Sequence, residues 1–360
     1  MSASIFDPIL MGSHKLQNRI VMNPMTRCRA DVSAVPTPIM ATYYGHRATA
    51  GLIVTEGTAP SPNGRGYART PGLWSDAQVA AWKPVTAAAH AKGAQIFAQI
   101  MHTGRVSHPG NMPAGAKIVA PSAIALAGQM YTDAEGMQDY PVPQEMTEAD
   151  IQQAKAEFVT AAKNAIAAGF DGVELHSANG YLLEQFLSPD TNKRSDGWGG
   201  TVAKRSRFVL EVAQEVVAAI GGDKVGIRIS PYGTASGMAA YAEVDETYLA
   251  LVAALDKIGL VYVHLVDHAA MGNPAIPAEF RAKLRAAWPR TFILGGSLDA
   301  ASGQAAVDSR AADLVGFGRA FIANPDLVAR MKAGAELNAP DFSTFYTPGE
   351  KGYTDYPSLA

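Results

Sequence analysis

Chemistry is concentrated in one short stretch, Val173-Glu174-Leu175-His176-Ser177-Ala178-Asn179-Gly180-Tyr181. There an apolar run ends and four hydrogen-bonding side chains, His176, Ser177, Asn179 and Tyr181, follow within six residues. Such a set can offer donors and a transferable proton to a bound molecule, or it can cap the next helix with the phenol packed in the core. Gly169-Phe170-Asp171-Gly172 breaks a long helical pattern just before it, and Val173-Glu174-Leu175 is too short and apolar for anything but a buried strand. The two-residue period of a strand then puts Glu174 and His176 on one face, with His176 at the carboxyl end.

Other segments place polar groups at the same kind of position. In Gln95-Ile96-Phe97-Ala98-Gln99-Ile100-Met101 the odd positions share a face, so Gln99 emerges at the strand's end with Met101 beyond it. In Val225-Gly226-Ile227-Arg228-Ile229-Ser230, Arg228 sits opposite three aliphatic residues and requires an anionic partner. That partner is either Glu174, in an internal salt bridge, or a ligand that is or becomes anionic. Thr26, in Met22-Asn23-Pro24-Met25-Thr26, offers one small donor or acceptor, although a threonine after a proline also suits a plain turn.

The elements that must position these groups can be read from apolar segments of strand length: Arg19–Met22, Leu52–Glu56, Gln95–Ile100, Gly172–Leu175, Val225–Ile229, Val261–Leu265, Phe292–Leu294 and Leu314–Phe317. Ala-rich amphipathic stretches alternate with them, at Ala77–Ala91, Glu148–Ala168, Ala203–Ala219, Glu246–Lys257, Ala278–Ala287 and Ser302–Asp308. Eight such units predict an α/β fold, a single (β/α)₈ TIM barrel. Thr147, Ser75 and Asp245 are candidate helix caps, and Gly169, Gly221-Gly222 and Gly259 sit where helices should stop. Two long loops, His102 to Thr147 after strand three and Leu182 to Gly200 after strand four, fall at the carboxyl ends of strands, the side that carries function in this architecture. The loops after strands seven and eight, Leu294-Gly295-Gly296-Ser297 and Val315-Gly316-Phe317-Gly318-Arg319, match the usual barrel phosphate site, with backbone N–H groups and Arg319 as donors.

In these residues the chain resembles the old yellow enzyme family of FMN-dependent ene-reductases over essentially its whole length. The likeness rests on Leu16-Gln17-Asn18-Arg19, Asn23-Pro24-Met25-Thr26, Phe97-Ala98-Gln99-Ile100 with His102-Thr103-Gly104-Arg105, and His176 to Tyr181. It continues through Gln185-Phe186-Leu187-Ser188-Pro189, Asn192-Lys193-Arg194, Asp196-Gly197-Trp198-Gly199-Gly200 and Gly352-Tyr353-Thr354-Asp355-Tyr356-Pro357. The resemblance implies one FMN-binding domain over residues 1–360, with the phosphate of non-covalent FMN at Gly295, Gly296, Ser297, Gly318 and Arg319. It implies Gln99 on the flavin's pyrimidine edge, Arg228 at its N1/C2 carbonyl region, Thr26 on its O4/N5 side, and Pro24, Met25 and Gly57 lining the ring. It makes His176 and Asn179 the donors to a substrate carbonyl and Tyr181 the acid that protonates the α carbon. NADPH or NADH would supply hydride, and the acceptor would be a small electrophilic alkene: an unsaturated carbonyl, a maleimide or a nitro compound.

Tyr67 and Tyr346 align with the family's pocket aromatics, although a tyrosine in a loop also serves as packing. Met101 stands where many relatives have tryptophan, so substrate preference and stereochemistry do not carry over. Thr26 occupies the site where a related subclass has a flavin-modulating cysteine, which leaves Cys28 as a small buried side chain.

The bulk figures agree with a small-molecule enzyme. A net charge of −3 with no basic block argues against nucleic acid and anionic membranes as partners, and one cysteine excludes an internal disulfide. No apolar stretch approaches membrane-spanning length, and Met1 to Gly12 lacks the pattern of a secretory leader, so a cytoplasmic monomer or homodimer is expected. A metal hydrolase built from His102, His108, His176 and Asp267-His268 fits poorly, because these lie after different strands with no paired carboxylate; no metal site is expected. A barrel that holds flavin without turning over is the other rival.

Overall fold

The computed structural model describes residues 3–269 and 272–359. Eight parallel strands close a barrel in chain order: β1 Ile20–Met22, β2 Leu52–Val54, β3 Gln95–Ile100, β4 Gly172–Ser177, β5 Val225–Ile229, β6 Tyr262–Val266, β7 Thr291–Gly295 and β8 Leu314–Phe317. Each falls within two residues of an expected segment. The helices around them are α1 Pro38–His46, α2 Asp76–His90, α3 Glu148–Ala167, α4 Val202–Ile220, α5 Val244–Ile258, α6 Ala278–Ala287, α7 Ala300–Asp308 and α8 Arg319–Ala323.

Local chemistry sets the helix ends. Ser75 and Thr147 form capping boxes with Gln78 and Asp150, each side chain taking the other residue's backbone N–H. Gly221 and Gly259 close α4 and α5 at φ 93° and 94°, a conformation that costs any other residue strain. Asp245 is not a cap: α5 begins at Val244, so Asp245 lies in its first turn and accepts a hydrogen bond from the Tyr232 hydroxyl. Along α4, Phe208, Val209, Val212, Ala213 and Val216 form the buried stripe, and each large side chain so buried contributes about 1.5–3 kcal/mol.

Register explains how the barrel interior is filled. Gln99 pairs with Glu174, Glu174 with Gly226 and Gly226 with Tyr262, while His176 pairs with Arg228 and Arg228 with His264. Glu174 is the hub of this layer, accepting hydrogen bonds from Gln99 Nε2 (2.8 Å), the Tyr262 hydroxyl (3.1 Å) and His264 Nδ1 (2.8 Å). Gly226 makes the Tyr262 bond possible, because a Cβ there would lie 2.2 Å from the Tyr262 ring. At the amino end of the barrel, Val21, Leu52, Val54, Phe97 and Leu314 pack with Met11 and Leu16 of an N-terminal hairpin, Ile9–Met11 with His14–Leu16. That end is an apolar plug, so polar chemistry is left to the carboxyl mouth.

The loop after β3 carries two small sheets, Val119–Ala120 with Gln144–Glu145 and Gln129–Thr132 with Gly136–Asp139. The carboxyl-terminal segment is tied across the mouth by buried arginines. Arg27 donates to the carbonyls of Phe345 (3.1 Å) and Gly352 (2.7 Å) and Arg29 to those of Thr344 (2.8 Å) and Lys351 (3.0 Å), while Arg47 bridges the carbonyls of Phe321 and Ile322 in α8 (both 2.7 Å) to that of Tyr353 (3.4 Å). Tyr353 stacks on Tyr43 with ring centroids 4.0 Å apart. Among the described residues, no helix is long and apolar enough to cross a membrane.

Candidate active site

A cavity of about 680 Å³ opens at the carboxyl mouth of the barrel. Pro24, Met25 and Thr26 reach it from β1, Gln99 and Met101 from β3, His176, Asn179 and Tyr181 from β4, and Arg228 from β5. Gly296 and Ser297 after β7, Gly318 and Arg319 after β8, and Tyr346 from the carboxyl-terminal segment complete the predicted set that lines it. Three predicted residues lie elsewhere. Gly57 backs Met101, with its Cβ direction blocked by the Met101 sulfur at 2.4 Å, and Gly295 lies against Asn23 and His264, each 3.0 Å from where its Cβ would be. Tyr67 lines a second, adjoining cavity of about 630 Å³ that shares Thr26, Tyr181, Phe342 and Tyr346 with the first.

Arg228 forms no salt bridge with Glu174; the carboxylate is occupied by Gln99, Tyr262 and His264, and Nε of Arg228 is buried with no partner among the described residues. Burial lowers the Arg228 pKa, although Glu174 nearby works the other way. An arginine stays charged at any working pH, so the mouth holds a cation with no direct anionic contact among the described residues. On Glu174 burial opposes the charge, but His264 and Arg228 beside it outweigh burial and bring its pKa below the usual carboxylate range. With Nε2 of Gln99 committed to Glu174, the Gln99 amide has its oxygen left as an acceptor.

The turn after β4 does not cap a helix with its asparagine. The next helix, Leu182–Leu187, has Tyr181 at its start and no side-chain cap. Asn179 instead adopts a left-handed backbone, φ 61°, held where its N–H donates to Ser230 Oγ (2.9 Å). Its side-chain oxygen lies 2.7 Å from Nε2 of His268. His176 is buried with Nδ1 unpartnered among the described residues, and burial together with Arg228 holds its pKa well below 6.5, so the ring is neutral. The Tyr181 hydroxyl lies 3.0 Å from that of Tyr67, and burial pushes its pKa up to about 12.

This geometry is that of a ligand site with one buried cation, neutral donors and a protonated phenol around one opening. Sequence reasoning missed Leu298, Phe342 and Phe345, which also line it, and considered Asp267 and His268 only as metal ligands. Among the described residues no three His, Cys, Asp or Glu side chains are grouped to hold a metal. Cys28 is buried at φ 58°, its pKa raised to about 12 by burial and by Glu56.

Residues 4–338 match the NADH:flavin oxidoreductase / NADH oxidase family. The chain belongs to that family. It is 42% identical over 358 residues to a probable flavin mononucleotide-dependent alkene reductase of Leishmania infantum, covering 98% of this chain and 96% of that one. Its fold superimposes on morphinone reductase with a TM-score of 0.96 at 42% identity, covering 100% and 97% of the two chains. The old yellow enzyme homologue of Zymomonas mobilis gives 0.95 at 38%, covering 99% and 100%. The resemblance to old yellow enzyme, the eight-stranded barrel and an oxidoreductase that uses flavin therefore hold, and the family includes alkene reductases.

Proposed function

We propose that this family member is an NAD(P)H-dependent ene-reductase that binds FMN. The observation that carries the reading is Arg228, a buried guanidinium without a salt-bridge partner among the described residues, opening on the same cavity as Gln99, His176, Asn179 and Tyr181. The donor set fits the cofactor. Arg228 suits the N1/C2 carbonyl edge of an isoalloxazine, the free oxygen of Gln99 its imide N–H, and Thr26 its O4/N5 side, with Pro24 and Met25 against the ring. Arg319 and the backbone of Gly296, Ser297 and Gly318 suit the phosphate. FMN held there would supply the hydride-transfer chemistry that links NADH or NADPH to the β carbon of an electron-poor alkene.

The chain's own groups supply the remainder. His176 and Asn179 would donate hydrogen bonds to the carbonyl or nitro oxygen as negative charge grows there, each worth about 3–4 kcal/mol in the transition state. Tyr181 would deliver the proton to the α carbon. Its raised pKa keeps the proton in place at neutral pH, and Tyr67 holds the phenol's direction. Met101, Tyr346 and Tyr67 would border the substrate, with the adjoining cavity taking its non-reacting portion.

The test is direct. The purified protein should be yellow, bleach anaerobically with NADH or NADPH, and recover its colour on addition of cyclohexenone. Colourless protein that takes up no FMN would refute the reading. Bleaching without recovery by any enone, maleimide or nitroalkene would leave a flavin-holding barrel instead.

A further inference from the structure

We infer that His268 is a positioning residue for Asn179, setting which end of that amide faces the substrate; this rests on the reading of Asn179 as an oxyanion donor. The two side chains come from the ends of β4 and β6, and both line the mouth cavity. Nε2 of His268 lies 2.7 Å from Oδ1 of Asn179. The barrel closure, not local sequence, brings them together across 89 positions.

An amide presents either a donor or an acceptor, and the two ends have nearly the same shape. With Oδ1 taking the His268 N–H, Nδ2 is left for the cavity as a donor. Turned over, Nδ2 would donate to an unprotonated Nε2, and the amide oxygen would confront the substrate's own oxygen. The Nε2–H tautomer of His268 therefore decides whether Asn179 stabilises or repels negative charge there.

The backbone cannot make this choice. Asn179 N–H is fixed on Ser230 Oγ, that hydroxyl donates to Glu184 (2.9 Å), and Glu184 accepts the Gly180 N–H (2.6 Å) and the Tyr248 hydroxyl (2.7 Å). With the turn so held, rotation of the amide is the freedom that remains. Burial and the Arg228 charge hold His268 down to about 4, so its ring is neutral and carries a single N–H. Nothing comparable fixes His176, whose Nδ1 has no partner among the described residues.

The test uses FMN-loaded enzyme and two probes: a para-substituted phenol, whose phenolate oxygen mimics the developing oxyanion and whose binding perturbs the flavin spectrum, and turnover of cyclohexenone. Replacing His268→Leu should weaken phenolate binding on the order of ten-fold, the value of one well-placed hydrogen bond, and lower kcat more than it raises KM. His268→Gln, which keeps an N–H for Asn179 Oδ1, should recover to within about three-fold. In an Asn179→Ala background His268→Leu should add nothing.

Wild-type behaviour of His268→Leu beside an impaired Asn179→Ala would overturn this inference alone. A further loss from His268→Leu in the Asn179→Ala background would do the same, as would loss of bound FMN in His268→Leu that His268→Gln does not restore. Wild-type behaviour of Asn179→Ala would remove the oxyanion role itself and this inference with it.

Discussion

Arg228→Met separates binding from folding because the two effects have opposite signs. Arg228 is 5% exposed and forms no salt bridge among the described residues, so the flavin-free protein holds a cation that burial penalises. Replacing buried ion pairs by apolar side chains is often neutral or stabilising by about 1–4 kcal/mol, and removing the Arg228 charge acts in the same direction because its burial outweighs the attraction of Glu174. Glu174 keeps its three donors after the exchange. Taking about 2 kcal/mol, and about 2 °C per kcal/mol for a chain of this size, the flavin-free variant should melt about 4 °C higher than the flavin-free parent.

Bound cofactor reverses the order. At a hundred-fold excess over Kd, FMN stabilises the parent by about 2.7 kcal/mol. Loss of a charged hydrogen bond worth about 2 kcal/mol weakens binding about thirty-fold. The same FMN concentration then stabilises the variant by only about 0.9 kcal/mol. Thermal scans of parent and variant, each with and without FMN, give the four numbers. A variant that melts lower when flavin-free, and yet shows the parent's full FMN shift, would refute the placement of Arg228 as an unpaired cation awaiting the cofactor.

Tyr181→Phe should slow re-oxidation by cyclohexenone about 10²- to 10⁴-fold, the usual range for loss of a positioned acid, and leave reduction by NADPH at its parental rate; stopped-flow absorbance resolves the two steps, and unchanged re-oxidation would remove Tyr181 from the chemistry. Glu184 has a folded pKa raised by burial to about 7 from an ordinary 4.5, so the folded state binds its proton more tightly. The stability this contributes is present below pH 4.5 and lost as pH rises through 7, roughly 3 kcal/mol over the window at about 1.36 kcal/mol per pKa unit. Glu184→Gln, which cannot ionise, should therefore gain on the parent in melting temperature between pH 5 and pH 8, and parallel curves would contradict the assignment.

Much of this fold was readable from local pattern. The apolar strands, the boxes at Ser75 and Thr147 and the stops at Gly221 and Gly259 are signals that act over a few residues, and they survive into the structure. Helix α1 was missed because Pro38 to His46 buries Met40, Tyr43, Tyr44 and Gly45 without a polar stripe to mark the outside. The mouth residues on strands were found by period two, including Gln99, His176 and Arg228. The fate of Arg228 was not decidable, since Glu174 could be its partner until Tyr262 and His264, from β6, are seen to occupy that carboxylate. His268 was in view, but its role depends on a neighbour far along the chain. Phe342 and Phe345 have no sequence cue, because what brings them to the mouth is a set of arginines more than three hundred residues away.

Those arginines also bear on how this enzyme can change. Arg27 and Arg29 grip the final segment by its main-chain carbonyls, which every amino acid possesses, and Gly352 is specified there because its φ is 66° and a Cβ would fall 1.8 Å from Thr344 Oγ1. The side chains of Phe342 and Tyr346, 63% and 62% exposed, take no part in that grip. The rim of the mouth cavity is thus a replaceable surface on a fixed base, where side chains can change while the anchoring beneath them stays as it is.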